Sequence, residues 1–316
     1  MDQAIVHPSA SLAVDISGLR FKNPVLTASG TFGYGVEFAR FFDISRLGGF
    51  CTKGLSLLPM EGNAPGRIAE TPAGMLNAIG LENVGVDRFV TEKLPQLEPY
   101  DTHVVANILG KTIDEFAQLA RRLDPFPKVS CLELNISCPN IKEGGIHFGH
   151  DPEMAQRVVR AVKENTTKPV WVKLSPNVTD IRVMALACEQ AGADALTLVN
   201  TFVGMSIDIY RRRPVLSNKT GGLSGPAIRP LAVRMVYQVT EAVRIPVIGI
   251  GGIMCGRDAV EFLMAGAVAV QVGTANFTDP HAAIKVLQGI DDFCRDQGIK
   301  DIMEIVGAAR QARSSC

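Results

Sequence analysis

The sequence predicts an α/β fold, a single closed (β/α)8 barrel (TIM barrel) preceded by a short N-terminal antiparallel hairpin. Three observations predict it. The chain has 316 residues, and such a barrel takes about 250 residues and runs larger with insertions. Short apolar runs alternate with amphipathic stretches along the chain, the rhythm of parallel strands joined by right-handed helical crossovers. The residue at or just past the end of every apolar run is polar or glycine. An open doubly wound sheet is the alternative, and the count of strands and this strand-end pattern favour closure. No low-complexity, Ser-rich or charge-run stretch could serve as a linker, so one domain is expected over residues 1–316, its barrel core about residues 24–290.

The segment 12–24 alternates around Ser17-Gly18 and reads as the hairpin. Strands are expected at 25–29, 48–53, 102–107, 130–135, 169–174, 195–199, 246–250 and 268–273. They are near-continuous apolar runs, as strands buried on both faces require. Helices are expected near 36–44, 83–95, 112–123, 152–165, 179–191, 228–243, 256–265 and 280–294. Pro24, Pro169 and Pro246 precede strands and suit turns on the bottom face. Two connections are long, 54–82 and 200–227. Both follow strands, so both belong to the top face, where long loops tend to bind ligands.

Composition narrows the function. Formal net charge is zero, with 32 basic and 32 acidic residues. Nucleic acid or an acidic membrane surface would favour a basic excess. A small-molecule partner is therefore expected, with no nucleic acid and no membrane. The N-terminus lacks a signal-peptide pattern and no apolar run is long enough to span a bilayer. The seven cysteines show no C-x-x-C pair, so no metal site is expected. Reduced thiols in a cytoplasmic protein are the simplest reading. Of these cysteines, Cys51, Cys131 and Cys188 read as small buried hydrophobes. His147 and His150 read as loop residues.

The strand ends carry Ser29-Gly30, Lys53-Gly54, Asn107, Asn135, Lys173, Asn200-Thr201, Gly251-Gly252 and Gly273-Thr274. In this fold ligands and chemistry gather at that face. Buried amides and ammonium groups are costly unless partnered, so their convergence points to a ligand. Glycines after the last two strands suit a phosphate, because bare backbone N–H groups approach an anion closely. Ordinary βα turns also use glycine. Lys173 could stabilise the reduced ring of a flavin, a recognised way of tuning its electronics. Lys53 could bind a substrate carboxylate or the flavin, or form a salt bridge with Glu133.

Cys138 lies in Glu133-Leu-Asn-Ile-Ser-Cys-Pro-Asn140, just past a strand end and before a glycine-containing loop. A thiol at an active-site rim suits removal of a carbon-bound proton, because the reference pKa of a thiol, about 8.5, can fall near a cation.

Five segments together resemble one family. They are Asn135-Ile-Ser-Cys-Pro-Asn140, Met75-Leu-Asn-Ala-Ile-Gly-Leu81, Lys173-Leu-Ser-Pro-Asn177, Asn218-Lys-Thr-Gly-Gly-Leu-Ser-Gly225 and Gly249-Ile-Gly-Gly-Ile253. The chain resembles the dihydroorotate dehydrogenases, in particular the class I, NAD-linked type B catalytic subunit, over roughly residues 12–290. The resemblance implies oxidation of dihydroorotate to orotate in pyrimidine biosynthesis, with one FMN per chain. Cys138 would take the proton from C5 while hydride leaves C6 for N5 of FMN. Lys53, Asn77, Ala78, Ile79, Gly80, Leu81, Asn135, Asn140, Asn200 and Thr201 would surround the substrate. FMN would lie against Ser29, Lys53, Gly54, Asn107, Asn135, Lys173, Val199, Gly225, Gly251, Gly252, Gly273 and Thr274.

Type B enzymes pair with a second subunit carrying FAD and a [2Fe–2S] cluster, which reduces NAD⁺. The resemblance thus implies a homodimer of this chain joined to that subunit in a heterotetramer. The chain itself shows no dinucleotide-binding G-x-G-x-x-G after a strand and no cluster ligands. Alternatives are a type A enzyme passing electrons to fumarate, a non-redox lyase or isomerase barrel, and a barrel that only binds a ligand or partner.

Overall fold

The computed structural model describes residues 10–137 and 148–311. Eight parallel strands form the central sheet: β1 (Val25–Thr27), β2 (Gly49–Cys51), β3 (His103–Ile108), β4 (Val129–Asn135), β5 (Val170–Lys173), β6 (Ala195–Leu198), β7 (Val247–Ile250) and β8 (Ala269–Val272). Every expected barrel strand is present. Their order is β1-β8-β7-β6-β5-β4-β3-β2. The remaining seam lies between β1 and β2, where Gly48 N–H donates to Val25 O at 3.1 Å. Strands such as Val170–Lys173 are buried at every position, which is why their sequences show no alternation.

Helices surround this sheet: α1 (Gly85–Arg88), α2 (Ile113–Leu123), α3 (Pro152–Lys163), α4 (Ile181–Gln190), α5 (Arg229–Ala242), α6 (Gly256–Met264), α7 (Ala275–Thr278) and α8 (Ala282–Asp296). The start of α2 shows the local logic. Thr112 Oγ1 accepts from Glu115 N–H at 3.1 Å, satisfying one of the N–H groups that a helix leaves unpaired at its start. Its stripe of Phe116, Ala117, Leu119, Ala120 and Leu123 is buried against the barrel. Burial of a large apolar side chain of this kind contributes about 1.5–3 kcal/mol. Asp151 and Asp180 cap α3 and α4 in the same manner.

Two expected helices differ. Residues 36–41 form successive turns, with Phe38 N–H bonded to Gly35 O and Phe41 N–H to Phe38 O. Glu37 folds back to accept from Tyr34 N–H at 2.9 Å, and Phe32 stacks on Phe38 at 4.1 Å between centroids. Aromatic packing sets this segment in place of a regular hydrogen-bond ladder. The expected helix 83–95 is α1 followed by a wider π-helical turn, Phe89–Lys93, and a 3₁₀ turn, Leu94–Leu97. Pro95 has no N–H for the ladder.

The hairpin, Val14–Ile16 with Leu19–Phe21, is antiparallel. Phe21 lies 4.3 Å from the His103 ring and 5.9 Å from the Trp171 ring. Trp171 Nε1 donates to Ser17 Oγ at 3.1 Å, and Ser17 Oγ donates to Asp194 O at 2.9 Å. His103 opens β3 and Asp194 precedes β6, so the hairpin plugs the bottom of the barrel.

The two long connections build a structure of their own on the top face. Phe202–Met205, Thr220–Ser224, Gly74–Asn77 and Ile68–Thr71 pair in that order as a four-stranded antiparallel sheet. We refer to it as the cap sheet. Among the described residues no helix is long and apolar enough to cross a membrane.

Candidate active site at the strand ends

Three fully buried polar side chains meet inside the top of the barrel. Glu133 of β4 accepts from Asn107 Nδ2 of β3 at 2.7 Å and from Gln271 Nε2 of β8 at 2.8 Å. Gln271 Nε2 also lies 3.1 Å from Cys51 Sγ of β2. Since β4 and β8 stand four places apart in the ring, the Glu133–Gln271 contact crosses the lumen. Burial, then the Glu133 carboxylate, pushes the Cys51 thiol well above its usual range. Burial does the same to Cys131 and raises Cys188 to about 12. These three cysteines have no exposed surface, as expected of small core residues. The Lys53–Glu133 salt bridge does not form; Glu133 instead accepts from the two amides.

Lys173 ends β5 and is 4% exposed. Its ammonium donates to Ser29 Oγ at 3.0 Å, just past β1 on the opposite side of the ring. Lys53, past β2, is partly exposed, and its backbone N–H donates to Gly33 O at 2.7 Å.

A second cluster covers the ends of β4, β5 and β6. Asn200 Nδ2 donates to Ser137 Oγ at 3.0 Å and to Asn135 Oδ1 at 3.4 Å. Ser137 Oγ donates to Lys173 O at 3.0 Å. Asn200 Oδ1 accepts from Thr201 N–H at 2.9 Å. Asn177 holds the next stretch, donating to Thr201 O at 3.0 Å and accepting from Val203 N–H at 2.9 Å. The Leu198–Val199 peptide at the end of β6 is cis, and Val199 is buried.

Thr201 joins this cluster to the cap sheet. A Cβ added to Gly222 would meet Thr201 Oγ1 at 2.1 Å, so the absence of a side chain at 222 admits Thr201. Asn77 is the register partner of Gly222, and its Nδ2 donates to Gly222 O at 3.4 Å. Ala78 packs with Leu76 and Leu216 in the cap's own small core. Gly80 packs against Asn63, whose N–H donates to Ile79 O. Leu81 O accepts from Asn83 Nδ2 at 2.8 Å. Ile79, Gly80 and Leu81 are thus tied to their own connection, Ala78 packs on Leu216 of the other one, and Asn77 is the residue beside them that reaches the Thr201 side.

The glycines after β7 and β8 converge with Gly225. A Cβ on Gly252, whose φ is +75°, would lie 2.9 Å from both Gly225 O and Arg229 N at the start of α5. Thr274 Oγ1 donates to Ser224 Oγ at 2.8 Å, drawing the end of β8 to the same place. A Cβ on Gly273 would have no neighbour nearer than 3.5 Å. Arg229 is engaged elsewhere, bridging Asp258 and Glu261.

Cys138 and Asn140 lie outside the described residues, as do His147 and Cys316. The neighbouring described residues, Asn135 and Ser137, belong to the asparagine cluster. Sequence reasoning passed over Ser137, Asn177 and Gln271. The first two stand inside the segments that carry the family resemblance, so their signal was present. Gln271 lies within an apolar run and carried none.

A family model described as dihydroorotate dehydrogenase matches residues 11–294. A protein of Geotalea daltonii named dihydroorotate dehydrogenase B (NAD(+)), catalytic subunit, is 58% identical over 299 residues, covering 95% of this chain and 98% of its own. The protein of that name from Geobacter sulfurreducens is 59% identical over 297 residues, covering 94% and 97%. That from Pelobacter propionicus is 56% identical over 297 residues, covering 94% and 98%. The chain belongs to the dihydroorotate dehydrogenase family and is an enzyme of that family.

Proposed function

We propose that this chain is one FMN-binding domain that oxidises dihydroorotate to orotate in pyrimidine biosynthesis. The observation that carries the reading is the buried Lys173 ammonium, held across the strand ends by the Ser29 hydroxyl beside the asparagine cluster. Among the described residues no carboxylate pairs with it, and a buried cation without a counter-charge is costly. The electron-rich N1/O2 edge of a flavin, anionic once reduced, supplies that counter-charge.

Other described groups fit the same occupant. Asn107 Oδ1 is buried and has no hydrogen-bond partner among the described residues, and a flavin ring offers an imide donor. Gly225, Gly251, Gly252, Gly273 and Thr274 present backbone and a hydroxyl where a phosphate tail would end. When bound, FMN supplies the acceptor for the hydride that leaves C6 of the substrate. Asn77, Asn135, Asn140, Asn200 and Thr201 orient the substrate's amides and carboxylate, since an amide side chain both donates and accepts. Lys53 meets the substrate carboxylate or the flavin. Residues 78–81 shape the approach through the connection that carries Asn77. Cys138 removes the proton from C5.

Electrons leave to NAD⁺ through a partner subunit carrying FAD and a [2Fe–2S] cluster, in a cytoplasmic heterotetramer built on a homodimer of this chain. The relatives' names, which specify NAD(+) and a catalytic subunit, support NAD⁺ as the acceptor and the existence of a partner subunit.

The test is optical. Purified protein is expected to be yellow and to bleach when dihydroorotate is added without oxygen. A colourless protein, or a flavin indifferent to dihydroorotate, would overturn the reading. Turnover with NAD⁺ only when the partner subunit is present, and none with fumarate, is the expected result for the acceptor.

A further inference from the structure

The strongest feature not yet given a function is the buried Glu133 and the two amides it holds. Glu133, Asn107 and Gln271 have no exposed surface. Both carboxylate oxygens accept from amide NH2 groups, at 2.7 Å from Asn107 and 2.8 Å from Gln271. A carboxylate is an acceptor only, so it selects one face of each amide. With both donors turned inward, both amide oxygens must point elsewhere. Both are without a partner among the described residues. Asn107 Oδ1 points toward the end of β2, since a Cβ added to Gly54 would stand 3.1 Å from it. The oxygen itself is buried, and a side chain at 54 would crowd it.

We infer that Glu133 is a positioning residue: it locks the Asn107 amide so that its acceptor oxygen, and never its NH2 group, faces the flavin site. Turning Asn107 over would set its carbonyl against the carboxylate. The inference rests on the flavin reading above. The oxidised isoalloxazine ring carries a single N–H, at N3, and an acceptor fixed in advance matches it without reorganisation on binding. A freely rotating amide would offer either end. The Glu133–Gln271 arm, running to the far side of the lumen, holds the carboxylate in place and does not touch the acceptor itself.

The test compares two probes, FMN and FMN methylated at N3, titrated into the flavin-free full chain and followed by fluorescence quenching. In the unmodified protein FMN should bind about tenfold more tightly than the methylated form, the value of one net hydrogen bond. Glu133→Met leaves the amide free to turn, and the preference should narrow severalfold. Gln271→Met keeps the Glu133–Asn107 bond and should keep the preference. An unchanged preference in Glu133→Met, or an equal loss in both variants, would overturn the inference and leave the flavin reading standing. Should Glu133→Met fail to fold, the double variant Glu133→Gln with Asn107→Asp carries the test. There the amide introduced on β4 can donate to the carboxylate introduced on β3 and accept from Gln271, while that carboxylate still turns an acceptor to the site. The double variant should retain the preference, and equal binding of the two probes would overturn the inference. An unmodified protein that binds neither probe would overturn the flavin reading itself, and this one with it.

Discussion

Replacement of Lys173 by methionine should have opposite effects on the flavin and on the empty protein. Lys173 is almost wholly buried, and Ser29 Oγ at 3.0 Å is the partner of its ammonium. Two unit charges about 4 Å apart interact by about 4 kcal/mol at an effective dielectric near 20. For a two-electron couple about 30 mV corresponds to 1.4 kcal/mol. The cation can therefore raise the flavin potential by up to about 85 mV, and competing hydration brings the expected shift nearer half of that. Lys173→Met should lower the midpoint potential by about 40 mV, read by equilibrating the bound flavin with a reference dye. The flavin-free protein should melt no lower than its parent, because methionine fills similar space without a buried unpaired charge. A flavin that stays bound with an unmoved potential would refute the reasoning. So would a variant whose only change is a large loss of stability.

Three further outcomes are expected. Cys138→Ser should slow reduction of the flavin by dihydroorotate at neutral pH by about a hundredfold or more, with a smaller effect on substrate binding, because a hydroxyl is a far weaker proton acceptor than a thiolate. Equal stopped-flow rates would contradict that role. Gly222→Ala, whose Cβ would stand 2.1 Å from Thr201 Oγ1, should displace Thr201 and raise KM for dihydroorotate while the barrel's melting temperature changes little, since the clash of about 1–3 kcal/mol is confined to the cap. An unchanged KM would show that Thr201 is not a substrate contact. Burial raises the thiols of Cys51, Cys131 and Cys188, so all three stay protonated in the folded chain when they ionise in the unfolded one. Their contribution is complete below about pH 8 and is lost as the pH climbs from there toward 12, about 1 kcal/mol per thiol between pH 9 and 10. Urea unfolding under reducing conditions should show the decline, and Cys188→Ala should remove roughly a third of it. A slope unaltered by that substitution would contradict the assignment.

The barrel was legible because burial on both faces writes itself into composition. Val170-Trp171-Val172 can hardly be anything but a core strand. The cap sheet was not legible, for a physical reason. Its second strand, Thr220–Ser224, is mostly small residues, so it shows no alternation. Its register with Met75–Asn77 spans nearly half the chain. The region 36–41 has a helical-looking apolar pattern, yet glycines at 33 and 35 with positive φ and the inward turn of Glu37 commit it to turns. At the site, Lys173, Asn135, Asn200 and Thr201 could be placed from their position at strand ends alone. Glu133 could not be given its work, because what it does depends on Gln271, which arrives from the opposite wall of the barrel.

The claim on which all of this turns is that the strand ends form one flavin site. A crystal structure of the protein grown with FMN and orotate measures it directly. The isoalloxazine ring is expected within hydrogen-bond reach of the Lys173 ammonium and Asn107 Oδ1, its phosphate at the Gly252 and Gly273 turns, and orotate between the ring and Cys138. A flavin bound anywhere else, or orotate remote from the asparagine cluster, would contradict it.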